Sequence, residues 1–493
     1  MENLGVSKLV STEIYKLIEM STTFITSDVP IHKMEMGFLK QLLQVGRSLL
    51  EHIVEEKLVQ LKEQDFDMTP KIHYKNTGEK TRKYLSIFGL ISILRPTMLT
   101  EQEGNLFVLD ELLQLPKGTK LSYNLQELIG ENASENDFRE SVRMLNKLLD
   151  LNLSGKTSSR NADHLGRLVD QYYEQKPADI EEDALCFSSS FDGKGVPKIK
   201  DAKEKKGNPK ARKGKGEKDG TMQMATVSVT SCFTPKKRSA EAIIWDLVGS
   251  GLSKVEQDNG VAKTRKTNDN RWHKKIHRRA FLADQQKAVD YGILDIKRRM
   301  TNPKSRFVVP IDAGTGLEEK VRASVKAYGL EARFDGIILD IIHISEYIWK
   351  VGTACFGEKS DKRAVWVRQT LTDVLNSKID KVIESFKVLK SKGRLSKNKK
   401  DQIQKSINYF SNHKHKMDYK TFIEKGYPVS SALVESACGH LVKERMEQSG
   451  MRWSSIGAQN IMDLRAVKLN EDMEDFIKFV IQKERKLEVK LAA

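Results

Sequence analysis

The central part of the chain contains the segment Leu185-Cys-Phe-Ser-Ser-Ser-Phe191, which is followed at once by Asp192-Gly-Lys-Gly-Val196. Its apolar, aromatic and small residues have the composition of a β-strand. The carboxylate of Asp192 would then stand at the end of this strand. Because such a carboxylate either caps the following turn or takes part in chemistry, the segment predicts a sheet with a candidate site at one edge.

Similar segments follow along the chain. Met222 to Phe233 predicts a second strand, Arg306-Phe-Val-Val-Pro-Ile311 a third that runs into Asp312, and Gly336-Ile-Ile-Leu339 a fourth that runs into Asp340. Helical periodicity lies between and after them, in three stretches: Ala280 to Met300, Gly316 to Tyr328 and Ile341 to Val351. The predicted order is strand, strand, helix, strand, helix, strand, which is typical of an α/β core with a mixed sheet.

The N-terminal part has a different character. Residues 1 to about 70 show helical periodicity, and Lys80 to Arg95 predicts a strand or hairpin. Ser134 is a candidate N-cap for a helix from Glu135 to Leu149, and a second helix is predicted from Thr157 to Tyr173. Two helices joined by a short turn fit either a DNA-binding helix-turn-helix or an ordinary helical hairpin.

The charge of the chain favours a polyanionic partner. The 84 Lys and Arg against 67 Asp and Glu give a net charge of +17. The excess is concentrated in Lys198 to Lys218 and in Lys381 to Lys420, each of which could also be a solvated face or linker. Two such runs in so basic a chain favour binding to nucleic acid, which exchanges its counterions for Lys and Arg.

The cysteines and the hydropathy exclude several classes of protein. The four cysteines, Cys186, Cys232, Cys355 and Cys438, are far apart, which argues against a disulfide framework and a zinc site. The sequence has no apolar run of membrane-spanning length and no signal-peptide pattern at its N-terminus. We therefore expect a cytoplasmic, nucleoid-associated protein without membrane contact.

A third acid stands in a long motif near the C-terminal end. The segment Pro428-Val-Ser-Ser-Ala-Leu-Val-Glu435 continues through Ser-Ala-Cys-Gly-His440 to Gly450-Met-Arg-Trp453. It resembles the signature of bacterial insertion-sequence transposases of the Kra type. Asp192-Gly-Lys-Gly-Val-Pro197 and Asp340-Ile-Ile-His343 are similar to two further motifs of that family. The resemblance extends over roughly Arg82 to Asn470.

The resemblance implies a ribonuclease H-like core, which holds its metal carboxylates at the ends of adjacent strands and on a later helix. It implies a DDE triad of Asp192, Asp312 and Glu435 that binds two Mg²⁺ or Mn²⁺ ions, with Asp340 and His343 in support. Asp340 also follows a strand, so it remains the alternative to Asp312 as the second acid. A structural hydrogen-bond pair is the other interpretation of Asp340 and His343. No zinc is expected, because the paired cysteines of related chains are missing before Leu109-Asp-Glu-Leu-Leu-Gln-Leu-Pro116.

Several basic and aromatic side chains are candidate DNA contacts. Arg271-Trp-His-Lys-Lys-Ile-His-Arg-Arg279 combines basic and aromatic side chains, as DNA-contacting segments do. A helix with a solvated basic face would explain the same pattern equally well. Lys443 and Arg445 follow Glu435 on a predicted helix, and Trp453 could stack on a base or belong to a core. The candidates are Lys194, Arg271, Lys274, Lys275, Lys443, Arg445, Arg452 and Trp453.

These observations predict an α+β multidomain protein. Its predicted parts are a helical region (1–75), a β unit with a helix-turn-helix-like region (76–180), the first part of the core (181–345, with a basic linker at 198–220), a helical insertion (346–427) and the last part of the core (428–493). The expected function is that of a DNA transposase, which binds terminal inverted repeats and target DNA as a homodimer or larger assembly. The alternatives are a catalytically silent, transposase-derived DNA-binding repressor or architectural protein, and a metal-dependent nuclease without strand transfer.

Overall fold

A computed structural model of the chain describes residues 8–63, 66–100, 104–181, 184–199, 222–248, 272–313, 316–391, 395–485 and 487–491. None of the helices in this described part combines the length and the apolar character that a membrane crossing requires. The predicted basic linker lies outside the described residues from position 200 onward, and so does Arg271.

The elements of the first part of the chain are mostly helices and antiparallel strands. In chain order they are α1 (Lys8–Ile25), α2 (Ile31–Glu63), β1 (Phe66–Thr69), β2 (Tyr74–Ser86), β3 (Gly89–Thr100), β4 (Gly104–Leu106), α3 (Val108–Leu112), α4 (Tyr123–Glu135), α5 (Glu140–Leu149), α6 (Gly155–Gly166) and α7 (Val169–Gln175).

Strands and helices alternate in the next part, and helices dominate the remainder. The elements are β5 (Cys186–Pro197), β6 (Met222–Phe233), α8 (Ala240–Val248), β7 (His273–Leu282), α9 (Gln285–Arg299), β8 (Arg306–Ile311), α10 (Leu317–Ala327), β9 (Phe334–Leu339), α11 (Ile341–Phe356), α12 (Asp361–Leu375), α13 (Ile379–Ser391), α14 (Lys397–His413), α15 (Tyr419–Glu424), α16 (Ala432–Ala437), a π-helical turn (Cys438–Lys443), α17 (Glu444–Met446), α18 (Ser455–Leu469), α19 (Met473–Glu484) and β10 (Glu488–Leu491). Short 3₁₀ helices occupy Glu331–Arg333, Lys414–Lys416 and Gln448–Gly450.

The chain folds into two compact units, so the α+β, multidomain prediction is confirmed. One unit comprises Met1–Gln175 and Asp463–Ala493. It contains the antiparallel sheet β2-β3-β4 and the antiparallel pair β1-β10. Its cores are two groups of buried apolar side chains, one around the β3 residues Ile91 and Ile93 and one around Leu125 and Ile129 of α4.

The N-terminal helices and the β2–β3 hairpin confirm the sequence prediction, but the later helix boundaries do not. Ser134 is not an N-cap, because it is buried inside α4, where its hydroxyl donates to the Glu131 carbonyl. Asp137 separates α4 from α5, and its Oδ1 accepts hydrogen bonds from the backbone N–H groups of residues 139 and 140. Ser154 caps α6, and the predicted second helix is divided into α6 and α7.

The other unit, Lys176–Met462, is built around a five-stranded mixed sheet. The strand order is β7-β6-β5-β8-β9. Strands β7, β6 and β5 pair antiparallel, whereas β5, β8 and β9 pair parallel. The order brings β5 and β8 together at the centre of the sheet although β6 and β7 separate them in sequence.

Helices cover both faces of this sheet. Because side chains alternate along a strand, Phe307 and Val309 of β8 lie on one face and Val308 lies on the other. The face with Phe307 packs against buried residues of α9 and α10. The opposite face packs against buried residues of α11 to α15. In the described part of 341–427, every regular element is a helix, as predicted.

Strand β7 corrects the predicted element order. The sequence predicted helix from Ala280 and a basic DNA-contacting or solvated segment before it, but His273–Leu282 pairs antiparallel with β6. Two inward-facing positions of β7, which would usually hold apolar residues, are occupied by His277 and Arg279. Arg279 is almost fully buried, with its guanidinium 5.1 Å from the Phe281 ring and 5.2 Å from the Tyr291 ring. The correct order therefore has a third strand before α9.

Gly292 of α9 sets how closely this helix approaches the sheet. A Cβ at position 292 would lie 2.5 Å from Ser228 Oγ and 2.8 Å from both Phe191 Cε1 and Ser189 Oγ. Gly292→Ala is expected to lower the free energy of unfolding by about 1–3 kcal/mol, because these contacts overpack the core. Urea unfolding followed by circular dichroism measures the change. Gly439→Ala is the matched control, since a Cβ there meets no heavy atom within 4 Å; equal unfolding free energies for both variants would contradict the prediction.

Candidate active site

Asp192 and Asp312 lie side by side on neighbouring parallel strands. Phe191 of β5 is in register with Ile311 of β8, so Asp192 and Asp312 each follow directly after one residue of this pair, Asp192 within β5 and Asp312 just beyond the end of β8. Adjacent strands are about 4.8 Å apart, which places the two aspartates within reach of a common ligand. Asp192 does not end its strand as predicted, because β5 continues to Pro197 in partnership with β6. It stands instead where β5 loses its pairing with β8.

Both aspartates are partly exposed and use one carboxylate oxygen locally. Asp192 Oδ1 accepts a hydrogen bond of 2.6 Å from the backbone N–H of Gly193, and Asp312 Oδ1 accepts one of 2.6 Å from that of Ala313. The side chain of Asp312 remains 41% exposed, and its Oδ2 lies 3.9 Å from His343 Nε2. His343 therefore faces Asp312, which leaves most of that carboxylate open to a ligand.

Glu435 lies on a helical segment that packs against the same strands. Val434, Ala437, Leu441 and Val442 are buried, and α16 with its π-helical turn contacts β5 and β6. Glu435 itself is exposed, and within the described residues its carboxylate has no hydrogen bond or ion pair to a protein group. Packing thus fixes the helix while the acid points away from the core. The prediction that a helix begins near Glu435 and packs on the sheet is confirmed.

Cys438 lies where both Asp192 and Glu435 act on it electrostatically. Burial raises the pKa of the Cys438 thiol well above its ordinary value, and the negative charges of Asp192 and Glu435 raise it further. Gly439 follows, and the space beside it is open. The π-helical turn begins at Cys438; such turns are rare and frequent at functional sites.

Asp340 occupies a different environment. It is fully buried and is the N-cap of α11, accepting a 2.8 Å hydrogen bond from the Ile342 backbone N–H and another from Ser431 Oγ. Burial raises the pKa of this carboxyl group, against the opposing effect of the hydrogen bonds. Asp340 is thus a structural cap that links β9, α11 and the segment before Glu435, which favours Asp312 over it as the second acid.

Two side chains that sequence reasoning did not assign lie near Asp312. The rings of Tyr347 and Tyr409 stack with centroids 3.9 Å apart and planes 18° apart. Burial raises the pKa of both phenols, and the charge of Asp312 is the next cause in each case. Tyr347 is one helical turn beyond His343, which is a usable signal, but nothing in the sequence links it to Tyr409.

The basic candidates divide into exposed and buried side chains. Lys443 and Arg452 are exposed, and Lys194 is half-buried with its Nζ 3.5 Å from Glu447. Lys274 and Lys275 are exposed on β7 and form ion pairs with Glu181 at 3.3 Å and Asp179 at 3.1 Å.

Arg445 and Trp453 are in the interior. Arg445 is completely buried, with its guanidinium 4.8 Å from the Trp453 ring, and the Trp453 indole donates to the Met446 carbonyl at 3.1 Å. The structure therefore places this pair in the core rather than on a surface that meets DNA.

The donor set suits a hard divalent cation more than a soft one. Asp192, Asp312 and Glu435 offer carboxylate oxygens, the ligands that Mg²⁺ prefers. Among the residues that the structure describes, no group of three or more His, Cys, Asp or Glu side chains is arranged to hold a metal ion. The three acids therefore match such an ion in the chemistry of their oxygen donors, while the described side chains are not gathered around a common point.

Comparison with known proteins adds no assignment. No protein-family model matches the chain, and a search of the curated proteins returns no match.

Proposed function

We propose that the chain is a DDE-type DNA transposase with a ribonuclease H-like core. The observation that carries the proposal is the adjacency of Asp192 and Asp312 across the β5–β8 register, with the helix that carries Glu435 packed against β5 and β6. A ribonuclease H-like core holds its acids in this way, at adjacent strand positions and on a later helix. The resemblance of the motifs around Asp192 and Glu435 to Kra-type transposases supports the same function.

Asp192, Asp312 and Glu435 would hold two Mg²⁺ or Mn²⁺ ions. When bound, such ions activate the attacking oxygen and stabilise the leaving oxygen of a phosphodiester. The protein's own contribution is to concentrate three negative charges at one edge of the sheet. An anionic DNA backbone would be repelled by these charges in the absence of cations, so DNA engagement and ion binding are coupled.

The chain's cations supply a surface for the substrate. Exposed Lys443 and Arg452 follow Glu435 closely in sequence, and both can contact phosphates. Helix α14 adds four exposed lysines for which the described residues provide no ion pair: Lys397, Lys399, Lys400 and Lys405. Several other lysines of the insertion pair with acids, as in Lys381 with Asp373 at 2.9 Å and Lys414 with Asp380 at 3.0 Å. The face of α14 is therefore the part of the insertion that we expect to hold DNA.

The test is cleavage and joining by the full-length chain of a labelled duplex that carries the flanking element ends. With Mg²⁺ we expect a nick that leaves a 3′ hydroxyl and transfer of that end into a target plasmid, with neither product in EDTA. DNA binding without either product in Mg²⁺ or Mn²⁺ would favour a repressor or architectural protein. Cleavage without joining would favour a nuclease. A homodimer or larger assembly on two element ends, and a cytoplasmic, nucleoid-associated location, are part of the proposal.

A further inference from the structure

A basic cavity lies in the unit formed by Met1–Gln175 and Asp463–Ala493, which does not contain Asp192, Asp312 or Glu435. It has a volume of about 520 Å³ and opens between the β2–β3 hairpin and the segment from α3 to residue 120. Five of its lining residues are cations: Arg82, Lys83, Arg95, Lys117 and Lys120. Two are acids, Asp110 and Glu111, so the lining carries a net charge of 5 − 2 = +3.

The two arginines share one carboxylate. Arg82 Nη1 donates to Asp110 Oδ2 at 2.8 Å, and Arg95 Nη1 donates to the same oxygen. These three side chains are 12–15% exposed, so a positive charge in excess of the single aspartate is held at the cavity wall. An uncompensated positive charge on partly buried side chains costs free energy of folding, and a bound anion would reduce that cost.

Arg95 also has hydrogen-bond donors that no protein acceptor uses within the described residues. A guanidinium has five N–H donors, and within the described residues Arg95 uses one Nη in its bond to Asp110. Its Nε is buried without an acceptor, so the donors left for a ligand are the remaining Nη N–H groups. Its plane lies over the Phe107 ring at 3.6 Å from the centroid, which fixes its orientation. Arg82, by contrast, is also engaged by the carbonyls of Pro116 and Thr119. Arg95 is therefore the pre-oriented donor of the pair.

Two lysines at the rim remain without an acidic partner. Lys117 pairs with Glu111 at 2.7 Å and is neutralised. Lys83 is exposed and donates to Ser92 Oγ at 2.7 Å, and Lys120 is exposed; in the described part of the chain neither forms an ion pair. A cluster that served stability alone would account for Arg82 and Asp110 but not for these two lysines.

We propose that this cavity binds a phosphate group and that DNA is its source. A phosphate takes several charge-assisted hydrogen bonds at once, which matches the spare donors of Arg95 and the cations of Lys83 and Lys120. The choice of DNA rests on the proposed function. The cavity would then be a DNA contact of the N-terminal unit that is additional to the contacts around the three carboxylates.

The test compares two double-alanine variants in the full chain carrying Glu435→Gln, so that the duplex stays intact. Lys83→Ala with Lys120→Ala changes the cavity, and Lys33→Ala with Lys40→Ala removes the same charge from α2. Fluorescence anisotropy measures affinity for a labelled duplex over a series of salt concentrations. The cavity variant is expected to bind roughly tenfold more weakly, with the slope of log affinity against log salt reduced by about one, for the one phosphate that the cavity holds.

Calorimetric titration of inorganic phosphate into the same proteins distinguishes a site for DNA phosphates from a site for a small phosphate-containing molecule. Loss of phosphate binding in the cavity variant with unchanged DNA affinity would support a phosphate site whose ligand is a small molecule. Equal behaviour of cavity and α2 variants toward both duplex and phosphate would overturn the proposal. If no variant bound duplex at all, the proposed transposase function would fail, and the phosphate titration would still decide whether the cavity is a phosphate site.

Discussion

Glu435→Gln is expected to abolish the proposed Mg²⁺-dependent strand cleavage and joining while the affinity for DNA is retained. The expected loss is at least about 100-fold, because even residues behind the metal ligands cost 10- to 100-fold when they are changed. The amide keeps the size of the carboxylate but removes its charge and one of its metal-binding oxygens. Because Glu435 is exposed and its helix is held by buried neighbours, the variant should fold normally. The measurement is the yield of nicked and joined products, beside anisotropy with the same duplex.

Glu444→Gln is the matched control for this experiment. Glu444 lies on α17, is half-exposed and pairs with His440 at 2.7 Å, so its substitution removes the same charge from the same helical segment. It should retain activity within a few fold. Equal activity of the Glu435→Gln variant and the wild type would remove Glu435 from the catalytic set and, with it, the DDE interpretation of the motif.

The placement of the aspartates was predictable only in part. The sequence pattern predicts a strand before each aspartate, and the resemblance implied that the two strands are adjacent. The pairing of β5 with β8 confirms the adjacency, although β5 continues beyond Asp192. The same signal occurs at Asp340, where the acid is a buried helix cap. Exposure separates the two cases, and exposure depends on Ser431 and Ile342, which meet Asp340 only in the folded chain.

Helical spacing already places Arg445 on the packed face of its helix. Arg445 lies four residues after buried Leu441 and seven after buried Cys438, and residues at these spacings share a face of an α-helix. The prediction of a DNA contact instead followed the charge of Arg445. Its partner in the core, the Trp453 ring at 4.8 Å, comes from a later segment that the helical pattern does not identify.

The sequence did not predict strand β7, because polar side chains occupy its buried positions. Strand prediction relies on alternating apolar residues, whereas β7 buries His277 and Arg279 at inward positions. These charged groups are tolerated because their partners come from α9, which lies elsewhere in the sequence. The sheet core around Phe187 and Phe307 was predictable, since its residues are apolar and its strands are short and bounded.

Asp295→Asn is expected to lower the free energy of unfolding by about 3–5 kcal/mol, because it leaves a buried arginine without its counter-charge. Asp295 on α9 accepts hydrogen bonds through Oδ2 from Thr230 Oγ1 at 2.5 Å and from Arg299 Nη1 at 3.2 Å, and its Oδ1 lies 3.7 Å from His277 Nδ1. Arg299 is 2% exposed and also donates to the Lys275 carbonyl at 2.7 Å. The group joins α9 to β6 and β7, so its loss weakens the edge of the sheet.

The same substitution should change how stability depends on pH. Burial acts to raise the pKa of Asp295, but the interactions with His277, Arg299 and Thr230 outweigh it and hold that pKa well below its ordinary value. A depressed folded-state pKa means that the carboxylate stabilises the fold above its unfolded pKa of about 3.9, and that this contribution is lost as the pH falls further. Urea unfolding should therefore show the full difference between wild type and Asp295→Asn above about pH 5 and a shrinking difference below about pH 4.

Asp380→Asn supplies the matched control for Asp295→Asn, because Asp380 pairs with Lys414 at 3.0 Å while its side chain is 83% exposed. Water screens that pair, so its loss should cost less than about 1 kcal/mol. Equal losses for the two variants, or a loss for Asp295→Asn that does not vary with pH, would mean that the buried charge of Arg299 is compensated by groups other than Asp295. A large, pH-dependent loss confined to Asp295→Asn would show that the buried Asp295–Arg299 pair of α9, through its hydrogen bonds to β6 and β7, helps apolar packing to hold β7 on the sheet.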